Sequence, residues 1–192
     1  LARSLSQRGL RGAPVFWLAT EDHDFAEIDH CRVFDAEHRP VRLSIEGEAS
    51  NQPVGARPLP APPVDALRRA LDGFASGGEV VSLVSGAYRT GRPIGEAFAD
   101  LLGRLLGGRI LLLDPLDAAV RRIAVPFLQT AAEAAPDLTA KLLERNRALE
   151  AAGYHAQVHA GEESSLFFLL ENGRRVALRR QGGGYKAGGR RL

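Results

Sequence analysis

The residues of this chain that could do chemistry are crowded into Glu21-Asp22-His23-Asp24, with Glu27, Asp29 and His30 close behind. Three uses fit such a group. Asp22, His23, Asp24 and His30 are all possible metal ligands, as in metal-dependent phosphohydrolases. His23, oriented by Asp22 or Asp24, could move a proton as a general acid or base. The bland alternative is that these charges cap the next element and pair with arginines. Neighbours on an extended chain point to opposite faces, so Asp22 and His23 meet one ion only through a sharp turn. That argues against a metal and leaves proton transfer or ligand binding beside the capping role.

The element that must position this cluster is the apolar run Val15 to Ala19 just before it. Such a run suits a strand buried on both faces of a parallel sheet. In open α/β sheets the carboxyl ends of these strands form the crevice where ligands bind. Arg109-Ile-Leu-Leu-Leu113, ending at Asp114-Pro115, is a second buried-strand candidate with an acid at the same end.

The remaining elements follow from local signals. Leu1 to Arg8 reads as the end of a helix, and Cys31 to Phe34 with Val41 to Ile45 as a hairpin. Five prolines between Gly47 and Pro63 make an irregular connection. Val64 to Ala75 is an amphipathic helix, and Glu79 to Tyr88 is read as helix over strand. Pro93 opens a helix bearing Ile94, Phe98, Leu101, Leu102 and Leu105, and Gly107-Gly108 stops it. Asp117 caps a helix whose Val120, Ile123 and Phe127 should face inward and which Pro126 should kink or divide. Pro136-Asp137 restarts a helix that runs to Ala152. Alternation from Tyr154 to His159 predicts a strand with His155, Gln157 and His159 on one face. Asn172-Gly173 marks a hairpin between Leu166–Leu170 and Arg174–Arg180. Residues 181–192, rich in glycine and arginine, hold too little apolar content to pack alone.

The pattern gives an α/β fold with a parallel sheet core and antiparallel hairpin additions. Residues 1–180 read as one core domain, with 31–63 a connecting insertion and 181–192 a tail. At 192 residues and 45% hydrophobic content the composition is globular, and no stretch is apolar enough to span a bilayer. Cys31 is the single cysteine, so no internal disulfide can form, and a cytoplasmic setting is expected. Net charge is +2 but the basic residues crowd the end, from Arg174 to Arg191. A solvated strand face explains them better than nucleic-acid binding, which is not expected. Gly182-Gly183-Gly184 follows no strand–helix junction and is not read as a phosphate loop. The chain holds no methionine, which suggests part of a longer protein or a processed one.

The stretch PVFWLATEDHDFAEIDH resembles the signature of the bacillithiol-biosynthesis cysteine-adding enzymes, a family also called cysteine ligases. Later segments agree in order: PVG at Pro53 to Gly55, Tyr88 followed by GEAFADLLGRLLGGRILLLDP, then AAGYHAQVHA and SLFFLLENGRR. The resemblance implies a Rossmann-like core with helices on both faces, related to nucleotidyltransferases and class I aminoacyl-tRNA synthetases. It implies an amide bond formed between cysteine and glucosaminyl malate, with ATP or another nucleotide as the expected carboxyl activator. Asp22, His23 and Asp24 would be the catalytic group, and Glu21, Trp17, Asp114, His155 and Gln157 would line the substrate crevice, with no metal site. Full-length members are expected to be homodimers. The family's first strand with its GQQ turn and its long coiled coil are not in this chain. Two other readings stay open: a non-catalytic remnant that binds or interacts, and a metal-dependent hydrolase at the Asp/His corner.

Overall fold

The computed structural model describes residues 2–48 and 50–192. The chain divides into two compact units, 1–120 and 121–192.

The first unit begins with helix α1 (Ala2–Gln7), as the sequence predicts, and runs into strand β1 (Val15–Trp17). The predicted hairpin forms as β2 (His30–Phe34) and β3 (Pro40–Ser44), antiparallel with Val33 opposite Val41. The proline-rich connection holds only a 3₁₀ turn, Val54–Ala56. Three helices follow: α2 (Val64–Ala70), α3 (Gly77–Ala87) and α4 (Ile94–Leu106). The choice of helix for the stretch before Tyr88 is therefore correct. Pro93 stands at the N-cap of α4, and Gly107 ends it at φ 57°, a left-handed conformation that a side chain would strain. Strand β4 (Leu111–Leu113) then pairs with β1 in parallel, Val15 opposite Leu111 and Trp17 opposite Leu113.

Burial overturns one expectation here. Both apolar runs read as strands covered on two faces, yet Trp17 is 57% exposed and Leu111 61%. Side chains alternate along a strand. Phe16 turns toward α4, its ring 6.1 Å from that of Phe98, while Val15 and Trp17 face the other way with Leu111. Among the described residues β1 and β4 pair only with each other, and their second face is open, Val15 on it being 51% exposed. The buried core lies instead beyond the strand ends and under the hairpin. Phe25, Val54, Leu59 and Ile94 form one cluster, and Leu43, Leu67 and Val81 another.

Helix α5 (Ala118–Glu133) carries the chain across the division between units. Asp117 caps it as predicted, its Oδ1 accepting from the N–H groups of Ala119 at 2.7 Å and Val120 at 3.1 Å. Of the two outcomes expected at Pro126, division does not occur: the helix loses one hydrogen bond there and continues. One other expectation fails. Ile123 and Phe127 do not face inward, being 71% and 73% exposed, because α5 buries none of its residues.

In the second unit α6 (Ala135–Ala151) packs on the hairpin of β5 (Ser164–Glu171) and β6 (Arg174–Gln181). Thr139, fully buried, donates to the Ser164 carbonyl at 3.0 Å. Asn172 and Gly173 turn at φ 52° and 72°, the geometry that this dipeptide favours. The predicted strand from Tyr154 to His159 is absent. That segment is irregular, and Asn146 ties it to α6 by donating to the Val158 carbonyl at 2.8 Å. Its backbone also bonds to that helix directly, the Tyr154 N–H donating to the Leu149 carbonyl at 2.9 Å, rather than to a neighbouring strand. The glycine-rich end is ordered as β7 (Gly184–Ala187) and β8 (Arg190–Arg191), which extend the sheet in the order β5-β6-β7-β8. It packs by pairing along β6, and the Tyr185 hydroxyl donates to the Ala132 carbonyl at 3.0 Å. Among the described residues no helix is long and apolar enough to cross a membrane.

One ion-pair network ties α4 to the turn before it. Asp100 accepts from Arg92 and from Arg104, each at 2.7 Å, and this holds its carboxyl well below the usual carboxylate range. A carboxyl lowered in the fold stabilises fully above its unfolded value of about 3.9 and less as pH falls below that. The melting temperature of Asp100→Asn should thus lie below that of the wild type by a constant margin above about pH 5. The margin should shrink as pH falls below about 4. A margin that stays constant down to about pH 2 would contradict this role.

Candidate functional site

The carboxyl ends of β1 and β4 lie side by side because the strands are parallel and in register. The ladder continues past β1, with Leu18 N–H donating to the Leu113 carbonyl at 2.9 Å. Two residues further on, the Thr20 hydroxyl donates to Asp114 Oδ1 at 2.5 Å. The same oxygen accepts the Leu116 N–H at 2.8 Å, which turns the chain after β4. Asp114 Oδ2 accepts no hydrogen bond from any described residue.

Thr20 is 4% exposed and organises more than this one bond. Its carbonyl accepts the Gly55 N–H at 2.9 Å, and the Asp22 carbonyl accepts the Val54 N–H at 2.6 Å. Those two bonds hold the Pro53-Val-Gly55 segment against the acidic turn. A Cβ on Gly55 would lie 2.3 Å from the Thr20 Cβ, and one on Gly95 2.7 Å from its Cγ2. The start of α4, the Val54–Ala56 turn and the two strand ends thus converge on one threonine. Beneath them is an apolar cavity of ≈ 210 Å³, lined by Thr20, Ile28, Ile45, Tyr88 and Phe98 among others.

The acidic cluster divides its labour. Asp22 Oδ1 accepts the His23 backbone N–H at 2.7 Å and stands 3.2 Å from His23 Nδ1. Both side chains are about half exposed, so the imidazole meets solvent with a carboxylate behind it. Asp24 does what the capping alternative requires, accepting the Ala26 N–H at 3.2 Å and opening the 3₁₀ turn Phe25–Glu27. Glu21 is exposed on the turn, and Trp17 lies on the open face of β1. His155 and Gln157 are exposed on the irregular segment of the second unit. Glu21, Asp22, His23 and Asp114 are thereby gathered at one corner by Thr20. Asp24 carries a structural duty there as well.

His30, weighed as a ligand in the sequence, pairs with its neighbour instead, Nδ1 lying 2.5 Å from Asp29 Oδ1. Among the described residues no three His, Cys, Asp or Glu side chains form a metal-ligating group. The pair borders a second cavity of ≈ 340 Å³, which Cys31, Val33, Leu67 and Tyr88 also line. Burial pushes the Tyr88 phenol up, and Cys31 beside it adds to the shift.

Sequence reading missed Thr20, Gly55 and Gly95. Threonine and glycine signal nothing by type, and the contacts among these three span up to 75 positions. The PVG segment carried the one usable hint. The two glycines also decide how far a nucleotide fits this corner. A phosphate cradle needs open backbone N–H groups. Here the Gly55 N–H is spent on Thr20, and the Cβ positions of both glycines are already filled. The residues at these strand ends do not fit a nucleotide's phosphates.

The family profile described as "Bacillithiol biosynthesis BshC, N-terminal Rossmann-like domain" matches residues 2–192. The chain is 52% identical over its whole length to "Putative cysteine ligase BshC" of Solibacter usitatus, covering 37% of that protein. A protein of the same name from Koribacter versatilis is 32% identical over the whole chain, with 36% of its length covered. One from Salinibacter ruber is 33% identical over 88% of the chain and 31% of its own length. The chain spans about a third of the length of these curated relatives.

If Thr20 is the point on which the corner is packed, crowding it should cost stability in a way that trimming it relieves. Gly95→Ala should destabilise the chain by roughly 1–3 kcal/mol in urea unfolding. In a Thr20→Ser background, where the offending Cγ2 is gone, the same change should cost clearly less. Equal costs in both backgrounds would refute the packing account.

Proposed function

The chain belongs to the bacillithiol biosynthesis BshC N-terminal Rossmann-like family, and from that premise we propose that its strand-end corner holds the substrates of a ligase forming a carbon–nitrogen bond. The reaction is the joining of cysteine to glucosaminyl malate. The sugar ammonium nitrogen bonds to the carboxyl carbon of cysteine and gives up two protons, and one carboxyl oxygen leaves with them as water overall; a carboxyl-activating nucleotide would carry that oxygen away on its phosphate. The observation that carries this reading is the Thr20–Asp114 bond. It places Asp114, whose Oδ2 accepts no hydrogen bond from any described residue, next to the acidic turn that follows β1.

Roles follow from the geometry. An ammonium entering the crevice finds a hydrogen-bond acceptor in Asp114 Oδ2. His23 is the side chain placed to take the proton, its imidazole half exposed with Nδ1 3.2 Å from Asp22 Oδ1. Asp24, spent on the cap, keeps the turn that presents His23 in shape. Glu21 and Trp17 flank the entrance from the turn and from β1. His155 and Gln157 are exposed on the second unit and take no part in this corner of the first. Orientation of two small polar substrates accounts for much of the rate in such a condensation. Full-length proteins of this kind would act as homodimers on small molecules.

The test is product formation by the full-length protein from cysteine, glucosaminyl malate and candidate nucleotides, read by mass spectrometry. Asp114→Asn, which keeps the Thr20 bond but weakens ammonium binding, should raise KM by about tenfold or more. His23→Ala should lower kcat by roughly 100-fold, the scale of a lost general base. Unchanged kinetics in both variants would remove the corner from the reaction. Substrate binding without any turnover would favour the non-catalytic binding reading instead.

A further inference from the structure

Among the described residues Arg57 alone keeps a buried side-chain nitrogen with no hydrogen-bond partner. Arg39, Arg68, Arg92 and Arg104 each reach a carboxylate. Arg57 reaches none within 4.0 Å, and its Nη1 is buried with no hydrogen-bond partner. A buried cationic N–H left unpaired costs free energy, and native folds seldom keep one without a use.

Its setting is built rather than accidental. Both flanks of Arg57 are fixed, its N–H donating to the Val54 carbonyl at 3.2 Å and its carbonyl accepting the Ile94 N–H at 2.9 Å. The guanidinium lies over the Phe25 ring, 4.1 Å from the ring centroid. Phe25 cannot retreat, being 5% exposed with Gly47 so close behind that a Cβ there would lie 2.4 Å from the ring. The cation is therefore stacked on a fixed platform. It stands two residues from Gly55, which is bonded to Thr20, and Phe25 follows Asp24 directly. The orphan is thus joined to the same corner by two short stretches of chain.

We infer that Arg57 binds a carboxylate of the malyl group of the substrate, an assignment that rests on the ligase reading. A planar guanidinium with free N–H groups matches a carboxylate better than any other small anionic group except phosphate. Both substrates carry carboxylates, but they differ in what happens to them. The carboxyl of cysteine loses an oxygen and its charge during the reaction, so a clamp on it would hold the starting state more tightly than the transition state. The malyl carboxylates remain charged throughout. Holding one of them fixes the sugar amine without opposing the chemistry.

The test follows the Arg57 side-chain Nε–H signal by NMR while the chain is titrated separately with L-malate, glucosaminyl malate and cysteine. The signal should move with the first two and stay in place with cysteine alone. Arg57→Ala should weaken glucosaminyl malate binding roughly 10- to 100-fold, and Arg57→Lys, which keeps the charge without the fork, should recover part of it. A signal unmoved by both malyl ligands, or wild-type affinity in Arg57→Ala, would overturn the inference. Movement with cysteine alone would overturn the malyl assignment. Absence of turnover in the full-length protein while malate still moves the signal would sink the ligase reading and leave the carboxylate site standing.

Discussion

One hydrogen bond, from the Thr20 hydroxyl to Asp114, joins the ends of the two parallel strands. Bonds of this kind to a charged acceptor contribute about 1.5–3 kcal/mol. Its wider effect comes from what else touches Thr20. The backbone of the same residue holds Gly55, and its methyl group fills the space between Gly55 and Gly95. The parallel pair, with three residues in each strand, is too short to fix a crevice by itself. The threonine makes the strand ends, the Val54–Ala56 turn and the start of α4 into one packed junction. The acidic turn inherits its position from that junction.

The corner separates positioning from reactivity. Asp24 and one oxygen of Asp114 are committed to backbone and hydroxyl donors. The other Asp114 oxygen accepts no hydrogen bond from any described residue, the His23 imidazole is half exposed, and the Arg57 guanidinium reaches no carboxylate. An anion, an imidazole and a cation on these joined stretches of chain suit the substrates proposed above, which carry an amine and carboxylates. The glycines that would serve a phosphate are consumed by packing.

Local chemistry made most elements legible in the sequence. Pro93 and Gly107 bracket α4, Asp117 caps α5, and Asn172-Gly173 turns the β5–β6 hairpin, because each acts through its own backbone. The acidic cluster at a strand end was visible for the same reason. What was not legible depended on distant partners. Apolar residues at 15–17 and 111 look buried, but burial is decided by what lies across from them, and only Phe16 finds a ring in α4. Six alternating residues at 154–159 fit a strand but have no strand beside them. Residues 181–192 look too polar to fold, yet they pair along an existing edge. Thr20, Gly55 and Gly95 carry no chemical signature, so the residues on which the site depends were the hardest to find.

The central claim is that the Thr20 junction is where substrates bind. Hydrogen–deuterium exchange, read by mass spectrometry with and without glucosaminyl malate and cysteine, tests it directly. The account predicts protection that rises at residues 18–24, 53–57, 94–98 and 111–116 together. Protection confined to 164–192, or to the hairpin at 30–44, would contradict it.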